Sequence, residues 1–178
     1  WILKDNWNKT GLSVLDVGTG SGCIPISLAK HLSDSSVATI DVSSEAIKVA
    51  KDNANTHQVA VKFINQDILN YTDVSEKYDV IVSNPPYVRH LEKQEIKKNV
   101  LAYEPHLALF VADDDALIFY KKIAELALES LIENGALYFE INQYLGQETV
   151  SLVKNLGFSS VELRKDLSGN DRMLKAVK

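Results

Sequence analysis

The chain has 178 residues, 46% of them hydrophobic and 24% charged, enough for one sizeable core and too few for two comfortable domains. Its 19 Lys and Arg against 24 Asp and Glu leave a net charge of -5 at pH 7, which disfavours tight, phosphate-driven binding to nucleic acid. The single cysteine, Cys23, excludes an internal disulfide framework, and no apolar run approaches the roughly 20 residues needed to cross a bilayer.

These features predict one soluble domain over 1–178, a monomer in a reducing, cytoplasmic compartment. Trp1 opens the chain with no initiator Met, basic leader or small-residue cleavage site, which reads as no secretory signal and as a segment removed upstream. Leu12 to Val17 reads as a strand and 21–32 as a helix. Cys23 falls where that helix should turn its apolar face inward, so packing rather than chemistry is expected of it. Val37 to Asp41, a helix over 44–57, Val61 to Asn65 and Tyr78 to Ser83 continue the alternation, with Asp79-Val80-Ile81-Val82 reading as a strand buried on both faces. Alternation of this kind predicts crossover units and a parallel sheet with helices on both faces.

A polar stretch from Arg89 to Asn99 precedes a helix over about 115–132, with Leu117, Tyr120, Ala124, Ala127, Leu128 and Leu131 at helical spacing and Asn134-Gly135 as its stop. Ala136 to Ile141 reads as a fifth strand and 146–156 as a helix ending at Gly157. Phe158 to Lys165 and Arg172 to Val177 are joined by a connection too short for a crossover helix, so they should pair as an antiparallel hairpin. A mostly parallel, seven-stranded α/β sheet ending in such a hairpin resembles the Rossmann-like fold of class I S-adenosylmethionine-dependent methyltransferases.

The first strand runs into Asp16-Val17-Gly18-Thr19-Gly20-Ser21-Gly22. Glycines allow positive φ and close approach of backbone to ligand, and the helix start offers unpaired N–H groups. The even spacing of Gly18, Gly20 and Gly22 departs from the dinucleotide fingerprint and resembles the methyltransferase motif. Asp16 either faces a ligand's amino group or holds the loop by hydrogen bonds. The second strand ends in Ile40-Asp41-Val42, about 20 residues past the turn, where a carboxylate can accept both ribose hydroxyls. Asp41 is thus the ribose candidate, with Val42 beside it, and Ser43 or Ser44 can cap the next helix. The methyltransferase resemblance implies that Asp67 lies beside the adenine amino group and that Ile68 covers the ring; otherwise the two form an exposed turn with one packed Ile.

After the fourth strand comes Ser83-Asn84-Pro85-Pro86-Tyr87-Val88. The prolines fix φ twice and remove two donors, leaving a stiff loop with free carbonyls. The Asn84 side-chain oxygen and the Pro85 carbonyl could accept the two hydrogens of one NH2 and aim its nitrogen at a sulfonium methyl, with Tyr87 against the flat acceptor and Pro86 stiffening the wall. Acceptors placed there favour the form in which charge builds on a delocalised nitrogen.

Asn-Pro-Pro-Tyr is shared by methyltransferases acting on adenine N6, guanine N2 and glutamine N5, so an rRNA or DNA amino-group methyltransferase is the alternative. A DNA enzyme would need a base-flipping apparatus and a basic region that this length leaves no room for. Tyr87-Val88, Tyr103-Glu104-Pro105 before Ala108-Leu109, Gly135 to Glu140, and Lys165 to Arg172 together resemble the HemK/PrmC release-factor glutamine methyltransferases over nearly the whole chain. That resemblance implies methylation of the Gly-Gly-Gln glutamine of class 1 peptide-chain release factors, with S-adenosylhomocysteine as the other product. Family members carry a small N-terminal helical domain that helps hold the release factor, and this chain is expected to begin after it. Glu104 and Glu140 fit either a ligand contact or a salt bridge. His31, His57, His90 and His106 lack metal-ligand spacing, so no metal is expected.

Overall fold

The computed structural model describes residues 1–95 and 110–178. In chain order it contains α1 (Ile2–Asp5), β1 (Ser13–Val17), α2 (Cys23–His31), β2 (Ser36–Asp41), α3 (Ser44–His57), β3 (Lys62–Asn65), β4 (Tyr78–Ser83), β5 (Val88–Arg89), β6 (Phe110–Val111), α4 (Ile118–Ser130), β7 (Leu131–Glu140), α5 (Gly146–Leu156), β8 (Ser160–Lys165) and β9 (Asp171–Val177). The seven longer strands form one sheet in the order β3-β2-β1-β4-β7-β9-β8. Neighbours from β3 to β7 run parallel, and β9 pairs antiparallel with both β7 and β8.

Alternate residues of each central strand feed two cores. Leu15, Val17, Ile40, Ile81, Leu137 and Phe139 pack with α4 and α5 on one face. Val14, Val37, Val80, Val82 and Tyr138 pack with Leu28 of α2 on the other, against which Trp1, Ile2 and Leu3 also lie. Period-two alternation with apolar residues in both phases is what a doubly covered strand requires. Among the described residues, no helix is long and apolar enough to cross a membrane.

Two expectations need correction. The helix read as ending at Asn134-Gly135 stops at Ser130, because Leu131 takes extended backbone and enters the sheet opposite Tyr78. The next paired residue is Ala136, opposite Val80, so Asn134, with φ 62, and Gly135 lie in a bulge within β7. Cys23 is not packed: as the first residue of α2 it is exposed, its sulfur 3.2 Å from Ser21 Oγ, and the inward face begins with Pro25 and Ile26. The polar stretch that begins at Arg89 opens on a short 3-10 helix over His90–Glu95, and the parallel pair β5 and β6 flanks the longer segment that contains it. Residues 96–109, including Tyr103-Glu104-Pro105 and Ala108-Leu109, lie outside the described residues.

Candidate active site

Strand register brings the predicted residues to one rim. Val17 is level with Ile40 and with Ser83, Asp41 is level with Asn65, and Ser83 is level with Phe139. The glycine turn, Asp41, Asn84 and Glu140 therefore all leave the sheet at the C-terminal ends of adjacent parallel strands. The chain winds outward through β2 and β3 and then returns to β4 on the other side of β1, so a crevice opens between β1 and β4, where ligands bind in open α/β sheets.

The turn itself is built for close approach. Gly18, Gly20 and Gly22 have φ of 80, 52 and 86, a left-handed region that other residues enter at a cost. A Cβ on Gly18 would lie 3.7 Å from the Asn84 carbonyl oxygen, so the glycine turn and the proline loop nearly touch. Thr19 is buried, while Gly20 and Ser21 are exposed toward the crevice mouth. Ser83 Oγ donates to the Val17 carbonyl at 2.7 Å and fixes one turn against the other.

Asp16 is fully buried. One of its oxygens, Oδ2, accepts from Thr39 Oγ1 at 2.7 Å, whereas Oδ1 and the buried Thr19 Oγ1 make no well-aligned hydrogen bond among the described residues. Burial pushes its carboxyl up to about 7; the Thr39 and Thr19 hydroxyls oppose the shift and the Asp41 carboxylate adds to it. Asp41 accepts Gly20 N–H on Oδ2 and Ser43 N–H on Oδ1, both at 2.9 Å. It thus braces the glycine turn, and Ser43 caps α3 by accepting from Ala46 N–H. Val42 beside it is 51% exposed.

Asp67 lies further out. Its carboxylate accepts from Leu69 N–H and Asn70 Nδ2 and caps a short turn over Ile68–Asn70, and Ile68 is buried in the core below.

In the proline loop, Pro85 is buried and Asn84 is exposed. Neither the Asn84 side chain nor the Pro85 carbonyl accepts a hydrogen bond from a described residue. Tyr87 is anchored instead. Its hydroxyl donates to Glu140 Oε1 at 2.8 Å, its carbonyl accepts from Asn142 Nδ2 at 2.9 Å, and Arg172 Nη1 approaches the hydroxyl at 3.5 Å. Burial, followed by the Glu140 carboxylate, raises the phenol well above its usual range.

Sequence reasoning set Glu140 aside and missed Asn142, Glu92 and Thr39 altogether. Arg172 entered only within a resembling segment. No local signal marks these residues, since each reaches the site from another strand or turn. No three His, Cys, Asp or Glu side chains among the described residues are grouped to hold a metal ion.

The methyltransferase small-domain family model matches residues 2–107. A release factor glutamine methyltransferase of Flavobacterium psychrophilum is 57% identical over 98% of this chain and 62% of its own length, and that of Bacteroides thetaiotaomicron is 47% identical over 98% and 63%. The chain thus spans less than two thirds of the curated relatives it matches. A methyltransferase structure from Pyrococcus furiosus superposes with a TM-score of 0.71 at 20% identity, over 99% of this chain and 80% of that one, and TrmN from Thermus thermophilus with 0.68 at 18%, over 99% and 47%. Both share the fold of a mostly parallel sheet closed by an antiparallel hairpin, that of class I methyltransferases. With its glycine turn, strand-end Asp41 and Asn-Pro-Pro-Tyr loop on one rim of that sheet, the chain belongs to the methyltransferase small-domain family, alongside the release factor glutamine methyltransferases.

Proposed function

We propose that the chain is a single catalytic domain that binds S-adenosylmethionine in the crevice between β1 and β4 and methylates the side-chain amide nitrogen of the Gly-Gly-Gln glutamine in class 1 peptide-chain release factors. The observation that carries this reading is the state of the proline loop: its ends are pinned, yet among the described residues nothing donates to the Asn84 side chain or the Pro85 carbonyl. Two free acceptors on a stiff support suit a carboxamide NH2, which has two hydrogens to give.

The residues present fit the cofactor. Buried Asp16 Oδ1 and Thr19 Oγ1 lack well-aligned partners among the described residues beside the glycine turn, and buried polar atoms of this kind call for one. The bare turn Gly18-Thr19-Gly20-Ser21-Gly22 leaves room for the amino-acid end. Asp41 retains lone pairs for two ribose hydroxyls after accepting its two backbone N–H groups. Val42 offers an exposed apolar surface to the adenine, and Asp67 with Ile68 borders its far edge.

Bound S-adenosylmethionine supplies an electrophilic methyl group on a sulfonium. The protein's contribution is geometric and electrostatic. Asn84 Oδ1 and the Pro85 carbonyl hold the NH2 and stabilise the positive charge that grows on it. Pro86 stiffens the loop, and Tyr87 walls the planar amide. Holding reactants in near-attack geometry supplies roughly 7–11 kcal/mol. The identity with named release factor glutamine methyltransferases supports glutamine as the acceptor. On this reading the protein works as a monomer in the cytoplasm, where translation ends.

Incubation with methyl-labelled S-adenosylmethionine and a release factor tests the proposal. Label is expected on the Gly-Gly-Gln peptide. Label in ribosomal RNA instead, or none on the factor when full-length protein is used, would refute it.

A further inference from the structure

Tyr87 is gripped from two sides by one short stretch of chain. Glu140, the last residue of β7, accepts the phenol proton at 2.8 Å, and Asn142, two residues on, donates to the Tyr87 carbonyl at 2.9 Å. Asn142 is buried and both of its amide hydrogens are committed: the second goes to Glu92 Oε2 at 2.9 Å, and its oxygen accepts from Tyr144 N–H at 2.9 Å. Arg172, from β9, stands behind the phenol with Nη1 3.5 Å from both the Tyr87 hydroxyl and the Ile141 carbonyl, and its Nε is 3.4 Å from Asp166 Oδ2.

We infer that Glu140 and Asn142 are positioning residues that clamp Tyr87 and so hold the Asn84 acceptor in place. Proline fixes φ at positions 85 and 86 but leaves ψ free, so a loop pinned only at Ser83 could still swing at its far end. Among the described residues, the Asn84 side chain makes no hydrogen bond that would prevent this. The clamp also occupies Glu140. A free carboxylate one residue past the level of Ser83 would compete with Asn84 for a substrate NH2, whereas here one of its oxygens, Oε1, is engaged by the Tyr87 hydroxyl.

This inference rests on the proposed methyl transfer, and two readouts separate the two claims. The first is a double-mutant cycle on turnover. Glu140→Ala and Tyr87→Phe should each lower kcat about tenfold or more with cofactor affinity unchanged, because misplacement of a reacting group is costly. Combined they should lose no more than either alone, since both remove one hydrogen bond. Glu140→Gln keeps an accepting oxygen and should regain most of the loss. The second readout is amide hydrogen exchange over residues 83–89, which should quicken in Glu140→Ala while α4 and α5 stay protected. Losses that multiply in the double variant, or exchange that does not change, would overturn the clamp. Wild-type protein that transfers no methyl group would overturn the proposed reaction alone, and the exchange experiment would still decide the clamp.

Discussion

Asn84 matters because its side chain makes no hydrogen bond among the described residues. An exposed amide on a loop pinned at Ser83 and Tyr87 has its position set by backbone rather than by its own contacts. Asn84→Ala should therefore leave folding and cofactor affinity nearly intact while lowering turnover by on the order of 10²-fold or more, the scale seen when one preorganised polar partner of a developing charge is removed. Steady-state kinetics beside calorimetric titration would check this, and unchanged turnover would remove Asn84 from the mechanism. Asp41 is a contrasting case, because its carboxylate already braces Gly20 and Ser43. Asp41→Ala deletes the proposed ribose acceptor and the brace together, so cofactor binding should weaken by about 1.5–3 kcal/mol, the range for hydrogen bonds to a charged group. An affinity that stays put by calorimetry would show the ribose assignment to be wrong.

At the scale of elements, the turn from β1 into α2 depends on its last glycine for packing as well as for ligand approach. Gly22 caps α2 with φ 86, and a Cβ there would lie 2.9 Å from Ile26 Cδ1 and 3.0 Å from Ala50 Cβ. Helices α2 and α3 meet across this hydrogen atom. Gly22→Ala combines left-handed strain of about 1–2 kcal/mol with overpacking of about 1–3 kcal/mol, so the melting temperature should fall by roughly 5–15 °C. Gly20→Ala, at φ 52 with nothing within 4 Å of the added methyl, should lose only the smaller, conformational part. Thermal melts of the two variants should separate clearly; equal losses would mean that the contact with Ala50 relaxes freely. The same region shows why so much of the site was legible beforehand. Gly18, Gly20, Gly22, Asp41 and Asn84 lie at or just past strand ends, and strand ends are marked by local periodicity and punctuation. The bulge at Asn134-Gly135 was not, because leaving α4 at Ser130 depends on Leu131 finding Tyr78 far back in the chain. Nor was the support of Tyr87, whose partners Glu140 and Arg172 lie 53 and 85 residues away.

For the molecule as a whole, one buried group ties stability to pH. Asp16 has an ordinary carboxyl value of 3.8, and burial raises it to about 7 in the folded protein. Between roughly pH 4 and pH 7 the native state therefore holds a proton that the unfolded chain has released. Stability from this group is complete below about pH 4 and is lost as pH rises through 7, the opposite of a salt-bridged carboxylate. A shift of this size corresponds to a few kcal/mol, on the order of 1.4 per pH unit. Asp16→Asn removes the titration but keeps an oxygen for the Thr39 hydroxyl, at the cost of an amide N–H without a partner, about 1–3 kcal/mol. At pH 5 the variant should be no more stable than wild type and should melt somewhat lower. By pH 8 the wild type must bury a charge with one oxygen unpartnered, so the difference should narrow or reverse in favour of the variant. Calorimetric melts at pH 5, 6, 7 and 8 would follow the crossover. Parallel curves across that range would show that Asp16 is ionised throughout, and that the crevice between β1 and β4 admits enough water to solvate it.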